Sequence, residues 1–236
     1  MRGQTDPAVA DRQARSRLRR QELRLRVASA CVLLPVALFC LLRGGGWWSG
    51  LAAASTIGCL IEWGTLARRR LGVFWVLAGM LPILLAGAVL VWLRQRPEGL
   101  AELVLLLGAV WGSDIGAFAV GRSLGGPRLA PRISPGKTWS GAAGGLLAAS
   151  LLGAALGALQ GAPPGRGFLL GLLLSLAAQA GDLAESALKR RFGVKDSGRL
   201  IPGHGGLLDR MDGMIAAACL AGALAALGGE RLLWPG

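Results

Sequence analysis

A chain of 236 residues with 53% hydrophobic residues, a mean hydropathy of +0.52 and 17% charge is too apolar for a soluble domain, where roughly a quarter of residues are charged. It is too rich in apolar side chains for a disordered chain, and four cysteines are too sparse for a disulfide scaffold. The net charge of +13 would suit a nucleic-acid binder, but the long uncharged runs would not, and the combination points to a polytopic membrane protein.

The first 26 residues are Arg-rich. They read as a cytoplasmic topology signal, with a contact to anionic lipid headgroups as the functional alternative. Seven apolar runs follow, each long enough or nearly so to cross a bilayer as a helix. They are Val27–Leu42, Trp47–Ala67, Leu71–Leu93, Leu100–Val120, Thr138–Leu159, Phe168–Leu188 and Met214–Leu227, the last with room to extend towards Trp234. The run at Val27–Leu42 lacks a small-residue cleavage pattern and is followed by further spans, so it reads as a signal-anchor. The expected fold is an all-α bundle. Its parts are a basic segment at 1–26, N-terminal transmembrane helices at 27–97 and a catalytic transmembrane region at 98–236.

Charge placement supports this count. With the N-terminus inside, 21 of the 26 Lys and Arg residues fall on one side, in 1–26, 68–70, 121–137 and 189–213. Positive residues accumulate on the cytoplasmic side of membrane proteins. Cys31, Cys40, Cys59 and Cys219 lie within apolar runs without metal-finger spacing and read as packing residues. Gly141-x-x-x-Gly145 and Gly153-x-x-x-Gly157 along the fifth run allow close helix approach, and a homodimer through such faces is compatible with the pattern.

Charged groups inside spans are costly and mark functional candidates. Glu62 is near enough to Arg68 to reach the surface, and Glu102 lies at the outer end of its span. Both read as unremarkable. Asp114 sits about 10 Å deep from the inner end of the fourth span. Asp182, Glu185, Ser186 and Lys189 fall at i, i+3, i+4 and i+7, which places them on one helix face. At the inner end of a span that face must look into protein or a wet cleft.

The richest stretch runs from Lys189-Arg190-Arg191 through Lys195-Asp196-Ser197-Gly198 and Pro202-Gly203-His204-Gly205-Gly206 to Asp209-Arg210-Met211-Asp212. Asp182, Asp209 and Asp212 are an oxygen-only set suited to Mg²⁺, with a second cation left open. The glycines expose backbone N–H groups to an anion, and cations at 189, 190, 191, 195 and 199 supply charge for phosphates. His204 is the one histidine, so no serine-hydrolase arrangement can be assembled. The set reads as phosphate-and-metal chemistry at the cytoplasmic membrane surface.

The ungapped run from Ser186 to Asp212 closely resembles the signature of the phosphatidate cytidylyltransferase, or CDP-diacylglycerol synthase, family. Three upstream segments resemble the same family: Asp114-x-x-Ala117-x-x-x-Gly121, Ser134-Pro135-Gly136-Lys137-Thr138-Trp139, and Gln179-Ala-Gly181-Asp182-Leu-x-Glu185-Ser186. The likeness is strong over about 107–214. Gly136 replaces a commonly basic residue, and Ser140 stands where a Glu is usual.

The resemblance implies transfer of the cytidylyl group from CTP to phosphatidate at the cytoplasmic face of a bacterial inner membrane, with no nucleic-acid partner. It implies Asp182 and Asp209 as Mg²⁺ ligands with Asp212 beside them. Lys189, Arg190 and Lys195 would clamp phosphates, with Ser134 and Lys137 closing from the preceding loop. Asp114 would orient a lysine or help hold a cation. Thr138, Ser186, Asp196, His204, Gly205, Gly206 and Arg210 complete the expected substrate-binding set. The alternatives are a CTP-dependent lipid kinase of the same superfamily and, from another class, a transporter, although no inverted repeat is evident.

Overall fold

The structure, a computed structural model, describes residues 7–68, 70–198, 200–201 and 205–227, with side chains from residue 24 onward. His204, Arg199 and the extension towards Trp234 therefore lie outside the described residues.

Seven helices account for the apolar runs: α1 (Pro7–Arg43), α2 (Gly45–Ala67), α3 (Val73–Gln95), α4 (Gly99–Leu124), α5 (Trp139–Leu159), α6 (Pro164–Arg191) and α7 (Leu208–Leu227). Each contains a stretch long and apolar enough to span a membrane, that of α1 being Arg24–Arg43. Large side chains such as Leu84, Ile115, Phe118, Leu151 and Leu169 are exposed around the bundle, a disposition that water would penalise and lipid accepts. The chain is an integral membrane protein of helical-bundle class.

Helix ends differ from the apolar runs where polar residues continue a helix. α6 starts at Pro164 and runs through Arg191, since proline is tolerated in a first turn and cations suit a last one. α7 begins at Leu208, six residues before the apolar run. The loop expected at 121–137 holds a small antiparallel hairpin, β1 (Arg128–Ala130) and β2 (Ser134–Thr138), pairing Arg128 with Thr138 and Ala130 with Ser134. Gly125 and Gly126, at φ +62° and +104°, end α4 in a conformation that only glycine adopts readily. Thr138 then caps α5, its hydroxyl accepting from the Gly141 N–H at 3.0 Å.

α4, α5 and α6 pack backbone to backbone. A Cβ on Gly153 would strike the Gly167 carbonyl, and one on Gly171 the Ala149 carbonyl, so the small-residue spacing of α5 serves packing as expected. Cys40 and Cys59 are buried in the packing between helices. The indole N–H groups of Trp48 and Trp63 donate to Leu90 and Val76 carbonyls at 2.8 and 2.9 Å, fastening α2 to α3.

Two acidic side chains depart from the sequence reading. Glu102 is fully buried in an ion pair with Arg96 at 2.9 Å. Glu62 does not reach for the surface but points inward at 4% exposure, because backbone donors from the segment before α7 meet it there. The alternation of the helices brings Glu62, Asp114, Lys137, Asp182 and the start of α7 to one end of the bundle.

Candidate active site

At that end lies a cavity of about 420 Å³ between α4, the hairpin, α5 and α6. Asp114 on α4, Lys137 on β2, and Gln179 and Asp182 on α6 line it. Lys137 reaches it because Thr138 ends the strand and starts α5, which fixes the preceding residue against α6. Its ammonium donates to Asp182 Oδ2 at 2.5 Å, and the Ser186 hydroxyl donates to Asp182 Oδ1 at 3.3 Å. Asp114 stands within electrostatic reach of both Asp182 and Lys137. The direct partner of Lys137 is Asp182.

Below Gln179 is a polar layer within the bundle. The Ser175 hydroxyl donates to Ser113 Oγ at 2.7 Å, and the Gln179 amide donates to Ser113 Oγ and the Ala142 carbonyl, each at 3.2 Å. Arg122 and Arg128 also line the cavity, together with apolar Phe118 and Leu183. The sequence reading singled out neither arginine, since each resembled an ordinary topology charge.

A second cluster sits where α6, α7 and the segment between them meet. Lys189 donates to Asp209 Oδ1 at 2.8 Å and pairs with Glu185 Oε2 at 2.8 Å. Asp209 also accepts the Ser197 N–H on both oxygens and the Gly206 N–H on Oδ2, all at 3.0 Å. This helix-start carboxylate reaching back to a preceding N–H is a capping arrangement. Asp212 accepts the Gly213 N–H at 2.6 Å and lies within electrostatic reach of Glu185 and Asp182. Glu185 links the clusters, pairing with Lys189 and sharing a side-chain hydrogen bond with Asp212.

The stripe from Asp182 to Lys189 is thus one face, as its spacing required. Asp182, Asp209 and Asp212 do not close into one ligand set: among the described residues no group of three or more His, Cys, Asp or Glu side chains is arranged to hold a metal ion. Asp209 departs most, because a lysine and two backbone N–H groups fill its oxygens. The glycine-rich segment also differs from expectation. The N–H groups of Ser197, Leu200, Gly206 and Leu208 go to the chain's own carboxylates, Asp209 and Glu62.

Arg190 donates to the Ile133 carbonyl at 3.2 Å, tying α6 to the hairpin. Ser134 starts β2 off the cavity wall, and Thr138 spends its hydroxyl on the α5 cap. Lys195, Asp196 and Arg210 are exposed. Gly205, at φ +83°, accepts the Ile201 N–H at 3.1 Å. Ser140 donates to the Gly125 carbonyl and closes the base of the hairpin.

Residues 69–227 match the model of the cytidylyltransferase family. The phosphatidate cytidylyltransferase of Brucella suis is 47% identical over 72% of this chain and 62% of its own length. Those of Pseudomonas aeruginosa and Rickettsia bellii are 39% and 35% identical, over 86% and 84% of this chain and 96% and 89% of their own lengths. The chain spans 62% of the length of the Brucella relatives it matches. It belongs to the cytidylyltransferase family.

Proposed function

We propose that this member of the cytidylyltransferase family transfers the cytidylyl group of CTP to phosphatidate, giving CDP-diacylglycerol and pyrophosphate for phospholipid synthesis at the cytoplasmic face of a bacterial inner membrane. The observation that carries the reading is the cavity itself. It sets Asp114 and Asp182 beside Lys137, Arg122 and Arg128, with an apolar flank at Phe118 and Leu183. Phe118 is 68% exposed on the bundle's outer surface, so a polyanion and an acyl-bearing molecule can share one opening.

In the reaction a phosphate oxygen of phosphatidate attacks the α-phosphorus of CTP. The new P–O bond forms as the bond from Pα to the bridging oxygen breaks, and pyrophosphate leaves with that oxygen. Phosphatidate is already ionised at neutral pH, so no general base is required. The two polyanions must be brought together against their repulsion, and the charge growing on pyrophosphate must be met. Lys137 and the two cavity arginines would screen the approaching phosphates, with Lys189 and Arg190 at the adjoining end of α6. Gln179, braced by Ser113 and Ala142, offers a rigid polar wall for orientation.

The residues fit a divalent cation of the Mg²⁺ type. Asp182 is 35% exposed at the cavity, and Asp212 lies behind it, sharing a side-chain hydrogen bond with Glu185. Asp182 and Asp212 would hold the ion with substrate phosphate and water completing its shell, and Asp209 is assigned to holding the chain. When bound, Mg²⁺ supplies Lewis-acid charge neutralisation at the phosphates.

The test uses purified full-length protein in detergent micelles with phosphatidate and CTP labelled at either the α- or the γ-phosphate. The expected outcome is α-label in the lipid with pyrophosphate released, lost when Mg²⁺ is withheld. Recovery of γ-label in the lipid, with CDP released, would replace this reading with a lipid kinase.

A further inference from the structure

Glu62, near the end of α2, precedes the residues 69–227 that match the family model. Its Oε2 accepts the Leu208 N–H at 2.8 Å and the Ser197 hydroxyl at 3.4 Å, and its Oε1 accepts the Leu200 N–H at 3.3 Å. All three donors are neutral and come from the segment joining α6 to α7 and from the first residue of α7. The carboxylate is 4% exposed, so these bonds stand in for its hydration.

Two glycines of that segment make room for it. A Cβ on Gly198 would fall on the Glu62 carboxylate, and one on Gly206 would lie 2.7 Å from Oε2 and 2.8 Å from the Gly198 nitrogen. The same backbone is held from its other side by Asp209, through the N–H groups of Ser197 and Gly206. Ser197 therefore bridges two carboxylates, with its hydroxyl on Glu62 and its N–H on Asp209. Asp209 in turn holds Lys189.

We infer that Glu62 is a positioning residue: from outside the matched region it fixes the segment before α7, and through Ser197 and Leu208 it sets where Asp209 and Lys189 stand. The glycines at 198 and 206 are required at least in part by this protein carboxylate. Only the kinetic readout of the inference rests on the proposed reaction.

The test compares full-length wild type, Glu62→Gln and Ser197→Ala in detergent micelles, by amide hydrogen exchange and by turnover of CTP and phosphatidate. Glu62→Gln keeps the volume but turns an amide NH₂ towards a donor. Exchange across 197–208 is expected to rise about tenfold or more, with α4 and α5 unchanged. The kcat per folded molecule is expected to fall about tenfold or more while the KM for phosphatidate stays within about twofold. Ser197→Ala removes one contact and gives a smaller loss in the same direction. It also carries the test if Glu62→Gln fails to insert.

Unchanged exchange would overturn the inference. So would faster exchange with kcat held near wild type, which would leave Glu62 a packing residue. A wild type that turns over neither substrate would sink the proposed reaction instead. CTP binding would then decide: weakened in Glu62→Gln if the inference holds, equal to wild type if it does not.

Discussion

Asp182 and Asp209 both belong to the polar end of the bundle, but their surroundings differ. Asp182 has one lysine and one serine hydroxyl, and its side chain is 35% exposed. Asp209 has one lysine and two backbone N–H groups, three of these bonds at 3.0 Å, and its side chain is 9% exposed. A carboxylate with spare acceptor capacity facing a cavity can meet an incoming group. One whose acceptor sites are filled by the chain instead fixes that chain's position. The same residue type thus stands open at the cavity wall and committed to the chain's own backbone at the loop.

The largest effects are expected at the cavity wall. Asp182→Asn and Lys137→Ala should each reduce CDP-diacylglycerol formation by about 10³-fold or more, with membrane insertion and thermal stability near wild type. Comparable activity in either variant would break the assignment of chemistry to this wall. Asp209→Asn should act differently. It leaves Lys189 without one carboxylate partner and the backbone with a poorer acceptor, so turnover falls by about 10²-fold and stability by about 1–3 kcal/mol. Thermal unfolding in micelles beside the activity assay checks both halves.

A double variant, Asp209→Asn with Lys189→Ala, should lose about as much turnover as the worse single variant, because the two groups act as one unit. Simple multiplication of the losses would show that they act apart. At the far end, Glu102→Gln should destabilise by about 3 kcal/mol by removing the negative charge that Arg96 pairs with in a buried setting, with turnover per folded molecule unchanged. A selective fall in kcat there would mean that the polar end is not insulated from the rest of the bundle.

The seven helices were legible because twenty-residue apolar runs have one economical form in a bilayer, and the arginines between them marked the turns. The stripe from Asp182 to Lys189 was legible from helical spacing alone. Three things were not. The hairpin at 128–138 is hidden by its short length and the Gly125-Gly126-Pro127 lead-in, which reads as loop. Arg122 and Arg128 look like topology charges until the fold turns them into a cavity. Glu62 looked like a residue bound for the surface because its true partners are backbone N–H groups over 130 residues away in sequence, and no local pattern encodes them.

The contact between Lys137 and Asp182 has a consequence for ligand binding. An anion that draws the lysine's ammonium to itself leaves the Asp182 carboxylate without its counter-charge at the edge of the cavity. That carboxylate then attracts a cation more strongly than before. Conversely, a cation settled on Asp182 releases the ammonium for an anion. Reciprocity requires that each ligand strengthen the other by the same factor. Nucleotide and metal titrations on this wall should therefore be cooperative, with neither reaching its full affinity alone.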